Sequence, residues 1–92
     1  MIKTLMYHKV QDFGIWKTAF NEFKEIRKAA GEIDFSVGTL NNEANTAYVI
    51  NSWKSLEDFQ AFVSADELKE AMGAAGVMEA PHILILNEQE KG

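Results

Sequence analysis

The sequence predicts a small α+β domain in which strands and helices follow one another in the order β-α-β-β-α-β. Its 92 residues suit one domain. Four short segments carry strand-like patterns of apolar residues, and two longer segments place apolar residues at steps of three and four, as helices do. Four strands with two crossover helices are typical of a ferredoxin-like sandwich. Its four-stranded antiparallel sheet has the first and third strands at the centre and both helices on one face.

The first third of the chain predicts one strand and one helix. Residues 2–10 form the strand, with side chains alternating between two faces. Asp12 offers a side-chain acceptor to the free N–H groups of a helix start. One helix then follows over residues 16–30, and its apolar stripe consists of Trp16, Ala19, Phe20, Phe23, Ile26 and Ala30. Gly31 ends it, because glycine adopts the left-handed conformation at little cost.

The rest of the chain predicts a hairpin, a helical region and a last strand. Residues 33–38 alternate between apolar and polar, and an Asn-rich turn joins them to a strand over residues 46–53. Ser55 is expected to cap the next helix, which breaks and restarts at Ser64. A proline opens the last strand, residues 82–86, where it is tolerated because it starts the element.

Composition excludes several classes of function. The formal net charge is −5, and no cluster of Lys and Arg is dense enough for phosphates, so neither nucleic acid nor an anionic membrane is an expected partner. No signal peptide or membrane-spanning run is recognisable, which favours the cytoplasm. There is no cysteine, and two histidines without a carboxylate cluster predict no metal. A single domain is expected over residues 1–87, with a polar tail over residues 88–92.

The strands themselves predict a partner. If the sheet face away from the helices were wet, the strands would alternate cleanly between apolar and polar residues. Residues 47–50 and 83–86 are instead apolar on both faces. A large apolar face is unusual on a monomer, so a homodimer through this open sheet face is expected. The alternative is that Tyr, Lys and Thr side chains make the face polar enough for a monomer.

Several short motifs, spread over the chain except its tail, match one family. They are His8-Lys9-Val10-Gln11-Asp12-Phe13, Trp16-Lys17, Phe20, Trp53, Ser55-Leu56-Glu57-Asp58, Ser64, Leu68, Gly76-Val77 and Pro81. On these residues the chain resembles the dimeric α/β-barrel superfamily, and within it small proteins labelled antibiotic biosynthesis monooxygenase-like or cyclase-like. The resemblance implies two sheets paired face to face in a dimeric α/β barrel. It also implies a pocket, either between each sheet and its helices or inside the barrel.

The superfamily includes cofactor-free quinone-forming monooxygenases, haem-degrading enzymes, polyketide cyclases, isomerases and proteins with no known activity. Haem degraders combine an Asn on the first strand, a Trp on the third and a His on the second helix. Trp53 matches the Trp, but Met6 or His8 stands where the Asn is expected. No His lies between Leu56 and Gly76. Haem degradation is therefore not expected, and no cofactor is predicted.

His8 is the candidate catalytic residue. It lies in the middle of the first strand beside apolar neighbours, and an imidazole titrates near neutral pH, so it suits a general base or acid if its face lines a pocket. The alternative is a core or interface histidine with one hydrogen bond. His82 is a candidate ligand contact, expected either at the pocket rim or at the end far from His8; alternatively it faces solvent.

Four further residues are candidate ligand contacts. Asn51 and Trp53 share one face of the third strand, where a ring and an amide would hold and orient a planar aromatic molecule. Alternatively, Trp53 is only a hydrophobic anchor. Tyr7 and Tyr48 lie on central strands, where they either donate a hydrogen bond to an oxyanion or fill the dimer interface.

Two functions follow from these residues. The first is a cofactor-independent monooxygenase or cyclase/isomerase acting on an aromatic or polyketide-like small molecule. The second is a non-catalytic dimeric module for ligand binding or stress response. A cavity of roughly several hundred Å³ that contains His8 would favour a ligand site.

Overall fold

The computed structural model of the protein describes residues 2–92, which form four strands and four helices. The elements are β1 (Ile2–Lys9), α1 (Phe13–Glu22), α2 (Lys24–Ala30), β2 (Glu32–Leu40), β3 (Glu43–Trp53), α3 (Leu56–Val63), α4 (Asp66–Ala74) and β4 (His82–Leu86). The sheet order is β2-β3-β1-β4 and every neighbouring pair is antiparallel. The predicted ferredoxin-like sandwich, with the first and third strands at the centre, is therefore confirmed. Each predicted helical region is divided into two helices.

The first helical region begins and ends as predicted but is not continuous. The carboxylate of Asp12 accepts a hydrogen bond from the backbone N–H of Ile15, 3.0 Å away. The N–H of Phe23 bonds to the carbonyl of Phe20, a tighter turn than an α-helix makes, and α2 starts after it. Gly31 ends α2 with a φ of 124°.

The inward side of α2 differs from the predicted apolar stripe. Ile26 was assigned to the stripe, but its side chain is exposed. Arg27 is buried in its place, with only 3% of its surface exposed. The reason is an ion pair with Glu32, at the start of β2, which holds the guanidinium inside.

A bulge at the start of β2 produces the second correction. Glu32 lies opposite Trp53 and Asp34 lies opposite Ser52, so Ile33 has no partner of its own and is exposed. The sequence predicted Ile33 on the buried face of this strand. The extra residue instead gives that place to Glu32, which is buried.

The second helical region also differs in its restart. The backbone N–H of Asp58 donates to the Ser55 hydroxyl oxygen over 3.1 Å, so Ser55 caps α3 as predicted. The restart comes later than predicted: α4 begins at Asp66 rather than near Ser64, and no side chain caps it. None of the helices in residues 2–92 is long and apolar enough to cross a membrane.

All four helices cover one face of the sheet, which we call the covered face. It contains the buried core cluster of Val10, Trp16, Ala47, Val49 and Ala75. The opposite, open face carries Leu5, with Ile50 of β3 and Leu84 of β4 directly beside it in the register. Leu84 is 53% exposed. The protein therefore has one packed sheet face and one apolar face without a covering layer of its own.

Candidate functional site

A cavity of about 180 Å³ lies between the covered face and the helices. The central strands form its floor, with His8 from β1 and Asn51 and Trp53 from β3. Side chains from all four helices form its walls and roof, among them Trp16 of α1 and Arg27 of α2. Most of the lining is apolar, so each polar group on it is a potential anchor for a ligand.

His8 lies on this lining and is fully buried, with 0% of its surface exposed. Neither ring nitrogen has a hydrogen-bond partner among residues 2–92. The ring meets Trp16 edge to face, with centroids 5.6 Å apart. Burial lowers the pKa of His8 below its ordinary value of 6.5, and the charge of Glu79 opposes this only in part. The imidazole is therefore neutral at pH 7, with one nitrogen free to accept a proton.

A buried polar network crosses the sheet at the other end of the cavity. The Thr4 hydroxyl donates to Oδ1 of Asn51, and Nδ2 of Asn51 donates to Oε2 of Glu32 over 3.0 Å. Glu32 in turn accepts from Nε of Arg27 through both carboxylate oxygens, at 3.0 and 3.1 Å. The amide of Asn51, predicted to bind a ligand, is thus also occupied within the protein.

Arg27 is a buried cation that the sequence analysis missed. Its Nη1 donates to the carbonyl oxygen of Phe20, and its guanidinium carbon lies 3.6 Å from the centre of the Phe20 ring. Burial lowers the pKa of Arg27, while the Glu32 carboxylate raises it. Nη2 has no hydrogen-bond partner among the described residues. A signal was present in the sequence: Arg27 follows Phe23 by four positions and Phe20 by seven, which places it on the inward side of a helix.

Trp53 packs against a helix and also lines the cavity. Its ring is fully buried and packs against Phe59 and Phe62 of α3, with centroids 5.5 and 5.3 Å away. These contacts make it a hydrophobic anchor for α3. It also lines the cavity, and its Nε1 has no acceptor in the part of the chain that the structure describes.

The other three predicted site residues lie on the open face and do not line this cavity. Tyr7 and His82 are cross-strand partners whose rings stack with centroids 4.6 Å apart. His82 Nε2 lies 3.1 Å from Oε2 of Glu79, and its side chain is largely exposed. Tyr48 is opposite Tyr7 and covers Gly38, where an added Cβ would lie 2.8 Å from the Tyr48 ring.

The structure thus divides the six predicted site residues into two groups. His8, Asn51 and Trp53 share the cavity, whereas Tyr7, Tyr48 and His82 share the open face. Within residues 2–92, no three His, Cys, Asp or Glu side chains come together as a metal site requires. The chemistry that the cavity offers is therefore that of one imidazole and of the N–H donors of Arg27 and Trp53.

No protein-family model matches the chain, and no curated protein matches it at a significant level. Solved structures do match. A candidate antibiotic biosynthesis monooxygenase from Bordetella bronchiseptica superposes with a TM-score of 0.81 at 10% identity, covering 97% of both chains. The corresponding Caulobacter crescentus protein gives 0.76 at 21% identity, covering 97% of this chain and 90% of the other.

SnoaB, a cofactor-independent oxygenase from Streptomyces nogalater, also matches this chain. Its TM-score is 0.78 at 10% identity, and the match covers 98% of this chain and 94% of SnoaB. At such identities the likeness concerns the backbone and does not transfer a site. The chain therefore has the fold of the antibiotic biosynthesis monooxygenase-like proteins, as the resemblance in its sequence implied.

Proposed function

We propose that this chain is a cofactor-independent enzyme, a monooxygenase or a cyclase/isomerase, that acts on an aromatic small molecule in the cavity of the covered face. One observation carries the proposal. His8 lies fully buried on the cavity lining, and neither of its ring nitrogens is bonded within residues 2–92. A buried polar group without a partner costs stability, so such a group in a fold is a candidate for function.

The neutral imidazole of His8 supplies a general base. It removes a proton from an O–H group or from an acidic C–H group of the substrate, leaving an enolate or carbanion. In an oxygenase, the carbanion lies at a carbon that still carries a second hydrogen, and it gives its electron pair to dioxygen. The resulting peroxide takes the proton back from the His8 imidazolium. The hydroperoxide then loses water, as its O–O bond and the second C–H bond break, and a new carbonyl group remains. In an isomerase or cyclase, the enolate instead takes back a proton at another carbon or attacks a second carbonyl. Neither course requires a cofactor.

The open face supports a homodimer as the working form of this enzyme. Its central row runs Ile50, Leu5, Leu84 across three neighbouring strands, and the next row runs Tyr48, Tyr7, His82. These side chains meet solvent in a single chain. A second copy related by a two-fold axis would cover them, because the same apolar surface serves both partners.

The test of the enzyme is a comparison of two histidine variants. Dioxygen uptake and product formation are measured with a panel of phenols and hydroxyaryl ketones. His8→Ala is expected to lower kcat/KM by at least about 100-fold, the usual contribution of a general base. His82→Ala, on the other face, is expected to retain turnover. Unchanged turnover in His8→Ala would remove His8 from the mechanism and favour a binding module, whereas loss in His82→Ala alone would move the site to the open face.

A further inference from the structure

The two helices of the second helical region are held in different ways. The Ser55 hydroxyl caps α3, and Phe59 of α3 is buried against the Trp53 ring. None of the nine residues of α4 (66–74) is buried. Its N-cap position is Ala65, whose methyl group cannot accept a hydrogen bond from the first turn. We therefore expect α4 to be the less stable of these two helices.

The apolar side of α4 lies against the cavity rather than against a packed layer. Leu68, Ala71 and Met72 all line the cavity, and their spacing of three and four places them on one side of the helix. Side chains that border a cavity lack partner atoms on that side and lose the dispersion contacts of a packed core. A molecule inside the cavity would supply those contacts and hold α4 in place.

The covered face stays partly open at its β4 edge. Ile83 and Ile85 of β4 point to this face, as partners of Met6 and Thr4, and both are exposed. Thr4, one strand further in, is fully buried. The helices therefore cover β1 but leave β4 accessible. Because Ile83 also lines the cavity, this edge is a mouth through which a small molecule could enter.

The C-terminal end of α4 is anchored to β1 and to the core. The backbone N–H of Gln11 donates to the Gly76 carbonyl oxygen over 2.9 Å, and Val77 forms a bridge with Val10. Ala75 belongs to the buried core cluster. The N-terminal end, in contrast, is joined through two residues to α3. A movement of α4 would therefore turn about its C-terminal end.

We propose that α4 is a hinged lid over the cavity. It turns about its anchored end, admits a small uncharged aromatic molecule between itself and β4, and closes over that molecule. Met72 and Ile83 line this passage with apolar surface, where a charged molecule would lose its hydration without compensation. The inference rests on the proposed function, since the molecule that enters is the substrate that meets His8.

Amide hydrogen exchange tests the stability of the lid without a ligand. In the unaltered protein, the protection of residues 70–74 in α4 should be at least about fivefold lower than that of residues 60–63 in α3, which corresponds to one missing cap. Ala65→Ser supplies a cap and should raise the protection of α4 by about fivefold. Ala61→Ser, which adds the same hydroxyl on an exposed position of α3, should not raise it. Equal protection of α3 and α4 in the unaltered protein would overturn the lid.

Fluorine NMR with fluorobenzene tests whether the lid controls entry. A cavity of about 150 Å³ takes up benzene, so the cavity of about 180 Å³ is large enough for this probe. Ala65→Ser should slow the exchange of fluorobenzene between its free and bound states about fivefold, because the open state becomes rarer by that factor. Ala61→Ser should leave the exchange rate unchanged. Unchanged exchange in Ala65→Ser, or failure of fluorobenzene to bind, would overturn α4 as the entrance.

Gly73→Ala provides a second way to stabilise the lid if the new hydroxyl does not form a cap. A Cβ added at Gly73 would meet no heavy atom of residues 2–92 within 4 Å. Alanine in place of glycine within a helix should raise the protection of α4 and slow fluorobenzene exchange, each by about threefold. Higher protection of α4 with unchanged exchange of the probe would likewise contradict the lid.

The outcomes separate the lid from the enzyme itself. Control of fluorobenzene exchange by α4, together with turnover that ignores His8→Ala, would support the lid and reject the proposed mechanism. Turnover that depends on His8, together with equal protection of α3 and α4, would support the mechanism and overturn the lid.

Discussion

The two faces of the sheet carry opposite kinds of surface, although the same two central strands build both. On the covered face, polar groups are buried: His8, Asn51 and the ion pair of Arg27 with Glu32 lie among apolar side chains. On the open face, apolar groups are exposed, with Leu84 as the clearest example. Neighbouring residues of one strand thus face entirely different surroundings.

This difference between the two faces separates polar interactions within the chain from apolar surface that could contact a second chain. Buried polar groups are costly, and on the covered face Asn51, Glu32 and Arg27 are held in a connected network. The ring nitrogens of His8 have no partner among residues 2–92. Exposed apolar groups are costly as well, and on the open face a second protein surface would relieve that cost. The proposed chemistry therefore lies on the covered face, and the proposed dimer contact lies on the open face.

Breaking the ion pair of the covered face is expected to have the largest effect. Arg27→Met removes the cation and leaves the buried carboxylate of Glu32 without its counter-charge. Loss of one partner from a buried pair costs about 3 to 5 kcal/mol of unfolding free energy. Urea denaturation followed by circular dichroism measures this change.

The matched control is the partly exposed ion pair between Lys3 and Glu88, in which Nζ and Oε2 lie 2.7 Å apart. Lys3→Met removes that cation as well, but solvent screens the pair, so no measurable loss of stability is expected. Similar losses of unfolding free energy in the two variants would show that burial of the Arg27 pair adds nothing to its contribution to stability.

A charge on the open face is expected to have the next largest effect, on assembly rather than on folding. Leu84→Asp introduces a carboxylate into the row with Leu5 and Ile50. If this face pairs with a second copy, the dimer dissociation constant should rise at least tenfold, which corresponds to about 1.4 kcal/mol. Sedimentation equilibrium measures the constant.

Ile85→Asp is a close control for this variant. Ile85 is the next residue of β4 and is 52% exposed, against 53% for Leu84, but it points to the covered face. Ile85→Asp should therefore leave the dimer dissociation constant unchanged. Equal weakening by the two variants would mean that the β4 edge, and not the open face, forms the contact, and a monomeric unaltered protein would end the proposal.

The strand alternation made much of this arrangement predictable from the sequence. Asn51 and Trp53 are two residues apart, so they had to share a face, and Tyr48 had to lie on the other. Which face receives the helices was not predictable, because β1 and β3 carry apolar residues on both sides. The six candidate residues therefore could not be divided between the cavity and the open face.

The two corrections have a physical cause that the sequence pattern does not contain. A single extra residue at Ile33 changes which side chain points inward at the start of β2, since a shift of one residue exchanges the faces of a strand, whereas Phe35 and Val37 beyond it keep the predicted side. This places Glu32 inside, and Arg27 follows as its partner. Pattern rules assign charged residues to the surface, so a buried pair formed between a helix and a bulged strand escapes them.

The smallest expected effect distinguishes the two histidines by their pH dependence. The pKa of His8 is lowered by burial in the folded protein, so below pH 6.5 the unfolded chain binds a proton that the folded protein does not. The free energy of unfolding should therefore fall as the pH drops below 6.5, by up to about 1.4 kcal/mol per pH unit, until the lowered pKa is reached. His8→Gln should remove this part of the slope, whereas His82→Gln, with its exposed side chain, should keep it. Denaturation at a series of pH values, from about 1.5 units below the ordinary pKa of histidine to about 0.5 unit above it, measures the slope. An identical slope in the His8 variant and the unaltered protein would show that the imidazole on the cavity lining is not held neutral by the fold.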